Sequence, residues 1–287
     1  MAVVSVDRLL LELRRQDLAP LIKPLYELPP ERVAVYSLDG NKVGEVELPP
    51  HFFEPVRPDL IRRAFLSALS ARFQPKGVSP EAGKSHSCQS FGVGLGIARI
   101  PRYKGHLWPR GCFSPNTVGG RRAHPPRVEK KLHEEINKKE KRLAIRSAIA
   151  ATAYLSLVKA RGHVIEGVEQ LPLVASNDVE QLSKTESLRK TLRALHLWAD
   201  VERAAERIRI RSGVGKMRGR RYKEPKSLLV VVSKPDVPLV KAARNLPGVD
   251  VIYVKALSVL HLAPGGVPGR LTLWTQQAIE ELRGLFL

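Results

Sequence analysis

The sequence predicts an α/β fold in which helices cover both faces of a mostly parallel β-sheet. In the C-terminal half, short apolar runs alternate with segments whose apolar residues recur every three or four positions. Such alternation is typical of strands connected by helices. The runs Ser227–Val232, Val249–Val254 and Leu271–Thr275 are apolar at most positions, as expected for parallel strands that are buried on both faces.

A β-hairpin and a helix are predicted before this alternation begins. The β-rich runs Val33–Leu38 and Lys42–Leu48 flank the turn sequence Asp39-Gly40-Asn41, which favours a hairpin. Pro58 and Asp59 suit the first turn of a helix, which we expect to end near residue 73. Residues 1–32 are predicted to be an N-terminal extension, peripheral or disordered, because several prolines follow one short run of helical spacing.

A single long helix is predicted from Val128 to Arg161. Its first half has apolar residues four positions apart, its second half is rich in alanine, and Gly162 follows its end. The other predicted elements are a strand at Leu171–Ala175 and helices at Leu182–His196, Asp200–Ile208, Val237–Asn245 and Gln276–Leu285.

The composition indicates a polyanionic partner. The chain has 48 Lys and Arg against 28 Asp and Glu, a formal net charge of +20, and such an excess attracts nucleic acid. The longest apolar run, from Leu143 to Val158, contains Arg146 and is shorter than the roughly 20 residues of a membrane span, so we expect no membrane partner. The two cysteines, Cys88 and Cys112, argue against a disulfide framework and fit a reducing, cytosolic setting.

Two segments concentrate the positive charge. The first, residues 74–126, is called the basic loop here; from its start to Arg127 it has nine Lys and Arg against one carboxylate, Glu81. The second, residues 207–226, is called the basic segment and has nine cations against Glu224 alone. Neither has the apolar periodicity of a helix or strand, and a loop of this length is normally functional or disordered. We therefore predict that both bind RNA.

The predicted RNA-binding residues have cationic or aromatic side chains. Arginine makes forked contacts to phosphates and stacks on bases, and aromatic rings offer further stacking surfaces. In and next to the basic loop they are Lys76, Lys84, Arg99, Arg102, Lys104, Trp108, Arg110, Arg121, Arg122, His124 and Arg127. In the basic segment they are Arg211, Lys216, Arg218, Arg220, Arg221, Tyr222 and Lys223.

Nucleotide and zinc sites fit the sequence less well. Gly83-Lys84-Ser85 resembles the end of a phosphate-binding loop, but the glycine that this motif requires at position 78 is Val78. A second candidate is a zinc site, whose ligands would be His86, Cys88, His106 and Cys112. Their spacing is not that of a usual zinc finger, so we predict no metal and no cofactor.

The alternative function is a metal-dependent RNA-processing enzyme. Asp200, Glu202 and Glu206 are clustered carboxylates that could hold Mg²⁺ in a nuclease. Acidic residues in the first turn of a helix are also favoured by the helix dipole without any metal. We therefore predict no catalytic residue and keep the enzyme as the second hypothesis.

Several segments, in order, resemble the fourth universal large-subunit ribosomal protein in its archaeal/eukaryotic form. They are Val35–Gly40 (VYSLDG), Pro55–Ala64 (PVRPDLIRRA), Gly119–Pro126 (GGRRAHPP), Lys216–Tyr222 (KMRGRRY), Ala242–Asp250 (AARNLPGVD) and Ala263–Leu273 (APGGVPGRLTL). The resemblance covers about residues 33–287. The chain departs from the family at Val214, where lysine is common, and in residues 1–32, which precede the usual start.

The resemblance implies a fold, a partner and a location. Residues 33–73 and 127–287 would form a three-layer α/β domain on a small sheet, and residues 74–126 an extended loop that threads through large-subunit ribosomal RNA. The loop tip, near Arg102 to Arg110, would help to line the peptide exit tunnel beside the nascent polypeptide. Neighbouring ribosomal proteins are the other expected partners, in cytoplasmic ribosomes. Neither an enzymatic activity nor a homo-oligomer is expected.

Overall fold

The protein is built around strands and helices that alternate along the chain. The structure is a computed structural model that describes residues 29–286. Residues 1–28 of the predicted N-terminal extension lie outside the described residues. The strands are β1 Arg32–Tyr36, β2 Lys42–Glu47, β3 Cys88–Gln89, β4 Arg102–Tyr103, β5 Leu173–Ala175, β6 Arg209–Ile210, β7 Tyr222–Lys223, β8 Leu229–Val232, β9 Asp250–Tyr253 and β10 Thr272–Thr275. The helices are α1 Pro58–Ser70, α2 Lys138–Ala153, α3 Leu155–Arg161, α4 Thr185–Ala194, α5 Trp198–Glu206, α6 Leu239–Ala243, α7 Val259–Leu262 and α8 Gln276–Leu282.

Six strands form one sheet in the order β2-β1-β5-β10-β8-β9. Strands β1 and β2 are the antiparallel hairpin that the sequence predicts, and every other neighbouring pair is parallel. In the middle of the sheet, Trp274 is aligned with Val174 on one side and with Val231 on the other. The predicted α/β fold with a mostly parallel sheet is confirmed.

The two faces of the sheet carry separate hydrophobic clusters. Successive side chains of a strand point to opposite faces, so Leu229 and Val231 of β8 join one cluster while Val230 and Val232 join the other. Helices α1, α2 and α8 supply apolar side chains to the first cluster, and α4, α5 and α6 to the second. The domain therefore has three layers, as the family resemblance implies.

The prediction of one helix from Val128 to Arg161 is wrong. Helix α2 begins ten residues later, after Asn137, whose side-chain oxygen accepts a hydrogen bond from the Lys139 N–H at 3.1 Å. A bend of 92° separates α2 from α3. Val128 is 60% exposed, so the apolar spacing before α2 buries no continuous stripe, and most of the stability of a helix in a protein comes from such burial.

Within residues 29–286, no single helix has both the length and the apolar character needed to cross a membrane. Helices α2 and α3 meet those criteria only as a pair, across their bend. Much of α2 from Ala144 onward is buried, as in the core helix of a globular domain.

The chain divides into two compact units. One contains the described residues up to Leu69 together with those from Glu135 onward, and so includes the six-stranded sheet. The other is Ser70–Glu134, which has the two short strands β3 and β4, a single 3-10 turn at Gly105–Leu107 and mostly exposed side chains. The remaining predicted strands and helices are present with ends displaced by a few residues.

Candidate nucleic-acid interface

The base of the basic loop is a close approach of two chain segments. The Val78 N–H donates to the Pro126 carbonyl at 3.1 Å. Further along, Gly83 has φ +75°, and a Cβ there would lie 2.5 Å from the backbone of Gly120 and Arg121. Only glycine combines this backbone conformation with so close a contact. Gly83 therefore brings two parts of the loop's own backbone together here.

Four predicted RNA-binding residues line one concavity in this unit. It has a volume of about 530 Å³ and is lined from one side by residues 78–80 and 82–84 and from the other by residues 120–123 and 125–129, and Glu129 is the one carboxylate in this lining. Within the chain from residue 29 to residue 286, none of the four has an ion-pair partner. Concave surfaces with one sign of charge concentrate counter-ions, and here these would be phosphates. The four residues are Lys84, Arg121, Arg122 and Arg127.

The middle of the basic loop folds on itself. Strands β3 and β4 pair with Cys88 opposite Tyr103, and the Cys112 N–H donates to the Pro101 carbonyl at 2.9 Å. These contacts bring Cys88 and Cys112 together, and the structure joins them in a disulfide. The sequence does not predict this bond, because a spacing of 24 residues gives no sign of proximity and two cysteines are too few for a disulfide framework. The two thiols are not available as zinc ligands.

Side chains near the loop tip have two roles. The guanidinium of Arg102 donates to the carbonyls of Pro109 and Ala98, so it braces the turn that contains it. Trp108 is 49% exposed and meets Phe91 edge to face, with ring centres 6.3 Å apart. The other predicted cations near the tip are exposed and open to a partner; they are Arg99, Lys104 and Arg110.

The basic segment contains a short hairpin, which the sequence analysis missed. Strands β6 and β7 pair antiparallel, and a 3-10 turn at Val214–Arg218 lies between them. The guanidinium of Arg211 donates to the carbonyls of Arg220 at 3.0 Å and Tyr222 at 3.4 Å, so it holds the two strands together. Two-residue strands are too short to leave a detectable period in the sequence. The other predicted side chains of the segment are exposed; they are Lys216, Arg218, Arg220, Arg221, Tyr222 and Lys223.

A half-buried hydrogen bond and an exposed ion pair fix the C-terminal end of this hairpin to the sheet. The Glu224 carboxylate accepts a hydrogen bond from the Gly248 N–H. Next along the chain, the Lys226 ammonium lies 2.9 Å from Asp250. Both contacts reach the segment that enters β9, so the hairpin is attached to a rigid element.

Asp200 holds this region together from inside and is not placed to bind a metal. It is fully buried, and its carboxylate accepts hydrogen bonds from His163, Arg203, the Val164 N–H and Ser227 at 2.8–3.0 Å. Burial raises its pKa, but the hydrogen bonds from His163 and Arg203 outweigh that effect and hold the pKa below its ordinary value. Its carboxylate oxygens are thus satisfied by protein donors.

A second carboxylate of the alternative magnesium cluster also has a protein donor. Glu202 accepts a hydrogen bond from the Trp198 indole N–H. In the part of the chain that the structure describes, no group of three or more His, Cys, Asp or Glu side chains is arranged to hold a metal ion. The geometry gives no support to the nuclease hypothesis.

Sequence reasoning missed Arg270, which organises the same edge of the sheet. Its side chain is fully buried, and its guanidinium donates to the carbonyls of Ser227 and His261 at 2.9 Å and to Asp250 at 2.7 Å. Burial lowers the pKa of Arg270, and the charge of Asp250 opposes that shift. The sequence offers one sign of this role, because Arg270 is a cation directly before the apolar run of β10. A charge buried at such a position requires hydrogen-bond partners.

Comparisons with known proteins agree with the resemblance. The sequence profile of the ribosomal protein L4/L1 family matches residues 46–285. The large ribosomal subunit protein uL4 of Pyrobaculum aerophilum is 68% identical over 282 residues, 98% of this chain and 100% of its own. The proteins of the same name from Sulfurisphaera tokodaii and Methanococcus aeolicus are 54% and 53% identical, over 91% and 89% of this chain and 97% and 100% of their own. The first alignment extends well into residues 1–32.

Proposed function

The chain belongs to the ribosomal protein L4/L1 family, and we propose that it acts as a structural constituent of the large ribosomal subunit by binding ribosomal RNA. Its relatives are named for that subunit. The protein is a scaffold and not an enzyme, and its place is the ribosome in the cytoplasm. Its partners are the RNA and the ribosomal proteins next to it.

One observation supports the RNA-binding role: the cations of the basic loop and of the basic segment are largely exposed and have few carboxylates near them. Lys84 and the three arginines that share its concavity have no ion-pair partner between residues 29 and 286. Ribosomal RNA supplies phosphates at the density that such a surface requires, and contact with them releases condensed counter-ions.

The predicted residues divide into two groups by what their side chains already bind. The guanidiniums of Arg102 and Arg211 donate to carbonyls of their own turns, so we assign them to positioning. Trp108 and Tyr222 offer rings for stacking, and the other predicted cations contact phosphates. Exposed, unpaired side chains are required for such contacts.

The division of the chain into an anchoring domain, an RNA-threading loop and a peripheral extension is part of the same proposal. Residues 33–73 and 127–287 form the anchoring domain, residues 74–126 extend through the RNA, and residues 1–32 are a peripheral extension. The tip from Arg102 to Arg110 lines the exit tunnel and touches the nascent polypeptide. The exposed Trp108 beside Arg110 and Lys104 supports this assignment, because it gives the tip both an apolar and a cationic surface.

Two experiments test the proposal. The full chain should co-sediment with large subunits after a high-salt wash, since many phosphate contacts act together. Limited proteolysis should cut residues 74–126 in the free chain and leave them intact with ribosomal RNA. Loss of the chain from washed subunits, together with equal cleavage with and without RNA, would contradict the assignment.

A further inference from the structure

We propose that the hairpin of β6 and β7 is a two-faced ribbon, in which one face neutralises RNA phosphates and the other packs on unpaired bases and riboses. The proposal rests on the RNA-binding function above and deepens it. It adds Ile210 to the RNA contacts, a residue that charge and motif alone do not select.

The register of the hairpin separates the two chemistries. Arg209 lies directly opposite Lys223, and Ile210 lies directly opposite Tyr222. Directly opposed residues of an antiparallel pair project on the same side, and successive residues project on opposite sides. One face of the ribbon therefore carries two cations, and the other carries an isoleucine and a tyrosine.

The hydrogen-bonding pattern extends the cationic face. The Arg211 N–H donates to the Arg221 carbonyl at 2.7 Å, one step beyond the paired residues. Arg211 is two positions from Arg209, and Arg221 is two positions from Lys223, so both have the parity of the cationic face. Arg211 braces the hairpin from this face and the Arg221 guanidinium lies near the Tyr222 ring, which leaves Arg209 and Lys223 to contact phosphates.

The apolar face has little cover from the described part of the chain. Ile210 is 56% exposed and Tyr222 is 60% exposed, and Ile208 directly before the ribbon is 41% exposed. A ribbon of two strands is marginally stable by itself, and apolar residues grouped on a surface mark contact sites. A partner that covers this face would complete the ribbon.

Charge complementarity identifies that partner as RNA. The turn of the hairpin presents Lys216, Arg218 and Arg220, and the Arg221 guanidinium lies 5.7 Å from the centre of the Tyr222 ring. A neutral or basic protein surface that covered Ile210 and Tyr222 would leave those cations without counter-charge. Single-stranded RNA satisfies both faces together, because each nucleotide joins a phosphate to a base that stacks on aromatic side chains.

Binding at graded salt concentrations distinguishes the two faces. The full chain is titrated onto large-subunit ribosomal RNA, and the affinity of each variant is plotted against potassium chloride concentration. The apolar-face variant is Ile210→Thr with Tyr222→Ala, and the cationic-face variant is Arg209→Gln with Lys223→Gln. Val43→Thr is the matched control, since Val43 is an exposed apolar residue of β2 that lies outside both the basic loop and the basic segment. Circular dichroism checks that the exposed substitutions leave the fold unchanged.

The expected results differ in kind. The apolar-face variant should bind about tenfold more weakly at every salt concentration with an unchanged slope, because stacking releases no counter-ions. The cationic-face variant should reduce the slope by about 1.5, or roughly 0.7 to 0.9 for each lost phosphate contact. The Val43→Thr control should bind like the parent chain.

Two results would overturn the inference while leaving the proposed function intact. One is an apolar-face variant that binds RNA like the parent chain. If that variant binds RNA normally but fails to enter assembled subunits, the apolar face contacts a neighbouring protein instead. The other is an apolar-face variant that lowers the salt slope as the cationic-face variant does. Failure of the proposed function looks different, since the parent chain itself would then bind ribosomal RNA weakly and without salt dependence.

Discussion

The interior of the sheet domain and the two basic segments use the same residue types in opposite ways. Asp200 and Arg270 are fully buried, and each is surrounded by hydrogen-bond partners from the protein. Lys84 and Arg122 are exposed and have no ion-pair partner within residues 29–286. A buried charge needs internal partners because desolvation is costly, whereas an exposed charge stays available to a polyanion. Burial therefore separates the charges that hold the fold from those that bind RNA.

The strongest test of this comparison is charge removal in the concavity of the basic loop. Replacing Lys84, Arg121, Arg122 and Arg127 by Gln should lower the salt slope of RNA binding by about 3 and the affinity by roughly 10³-fold, because phosphate contacts are lost. The matched control replaces four exposed cations outside both basic segments by Gln: Lys234, Lys241, Arg244 and Lys255. Filter binding measures the RNA affinity of both variants. An equal loss of affinity in the control would mean that the net charge of the chain alone determines RNA binding.

The next largest effect should be on stability. Arg270→Met removes a buried guanidinium and leaves one carboxylate oxygen of Asp250 and several carbonyls without that donor, while Lys226 still contacts the other oxygen. We expect a loss of about 4 kcal/mol in the free energy of unfolding, typical of removing one partner of a buried ion pair. Chemical denaturation measures it, with Arg244→Met as the exposed control, which should change stability by less than about 0.5 kcal/mol. Similar losses in both variants would contradict the structural role of Arg270.

Asp200→Asn should lower the free energy of unfolding by about 3 kcal/mol at neutral pH, because it removes one partner of a buried ion pair. The pKa of Asp200 lies below its ordinary 3.8 in the folded protein, so the folded state favours the charged carboxylate more than the unfolded state does. Its contribution is therefore complete above about pH 4 and declines as the pH falls further. Unfolding curves of the parent chain and the Asp200→Asn variant between pH 2 and about pH 7 measure this contribution. A difference in unfolding free energy that stays constant across that range would contradict the prediction.

The smallest effect should come from the backbone of the basic loop. Gly83→Ala forces a left-handed conformation on alanine and places its Cβ 2.5 Å from the facing backbone, whereas Gly92→Ala meets the same φ constraint with no atom within 4 Å. We expect the first variant to lower RNA affinity about fivefold, just under 1 kcal/mol, and the second to change it less. Protease cleavage at the loop base should follow the same order, and reversed affinities would argue against a closed base.

Much of the domain could be predicted from sequence because its signals are local. The apolar runs of β8, β9 and β10 and the turn between β1 and β2 each depend on neighbouring residues. The prediction of one long helix was wrong for the same reason, because the spacing of Val128, Leu132 and Ile136 favours a helix locally. The structure keeps Val128 exposed, and only Ile136 of the three packs on the core.

The sequence alone determined the class of fold and the chemistry of the partner, because periodicity and charge are properties of neighbouring residues. Tertiary structure alone decided which charges are buried, as at Asp200 and Arg270, and which cysteines meet. It also decided that Ile210 stands opposite Tyr222. These contacts join residues that are distant along the chain, and desolvation and strand register act only after the chain has folded.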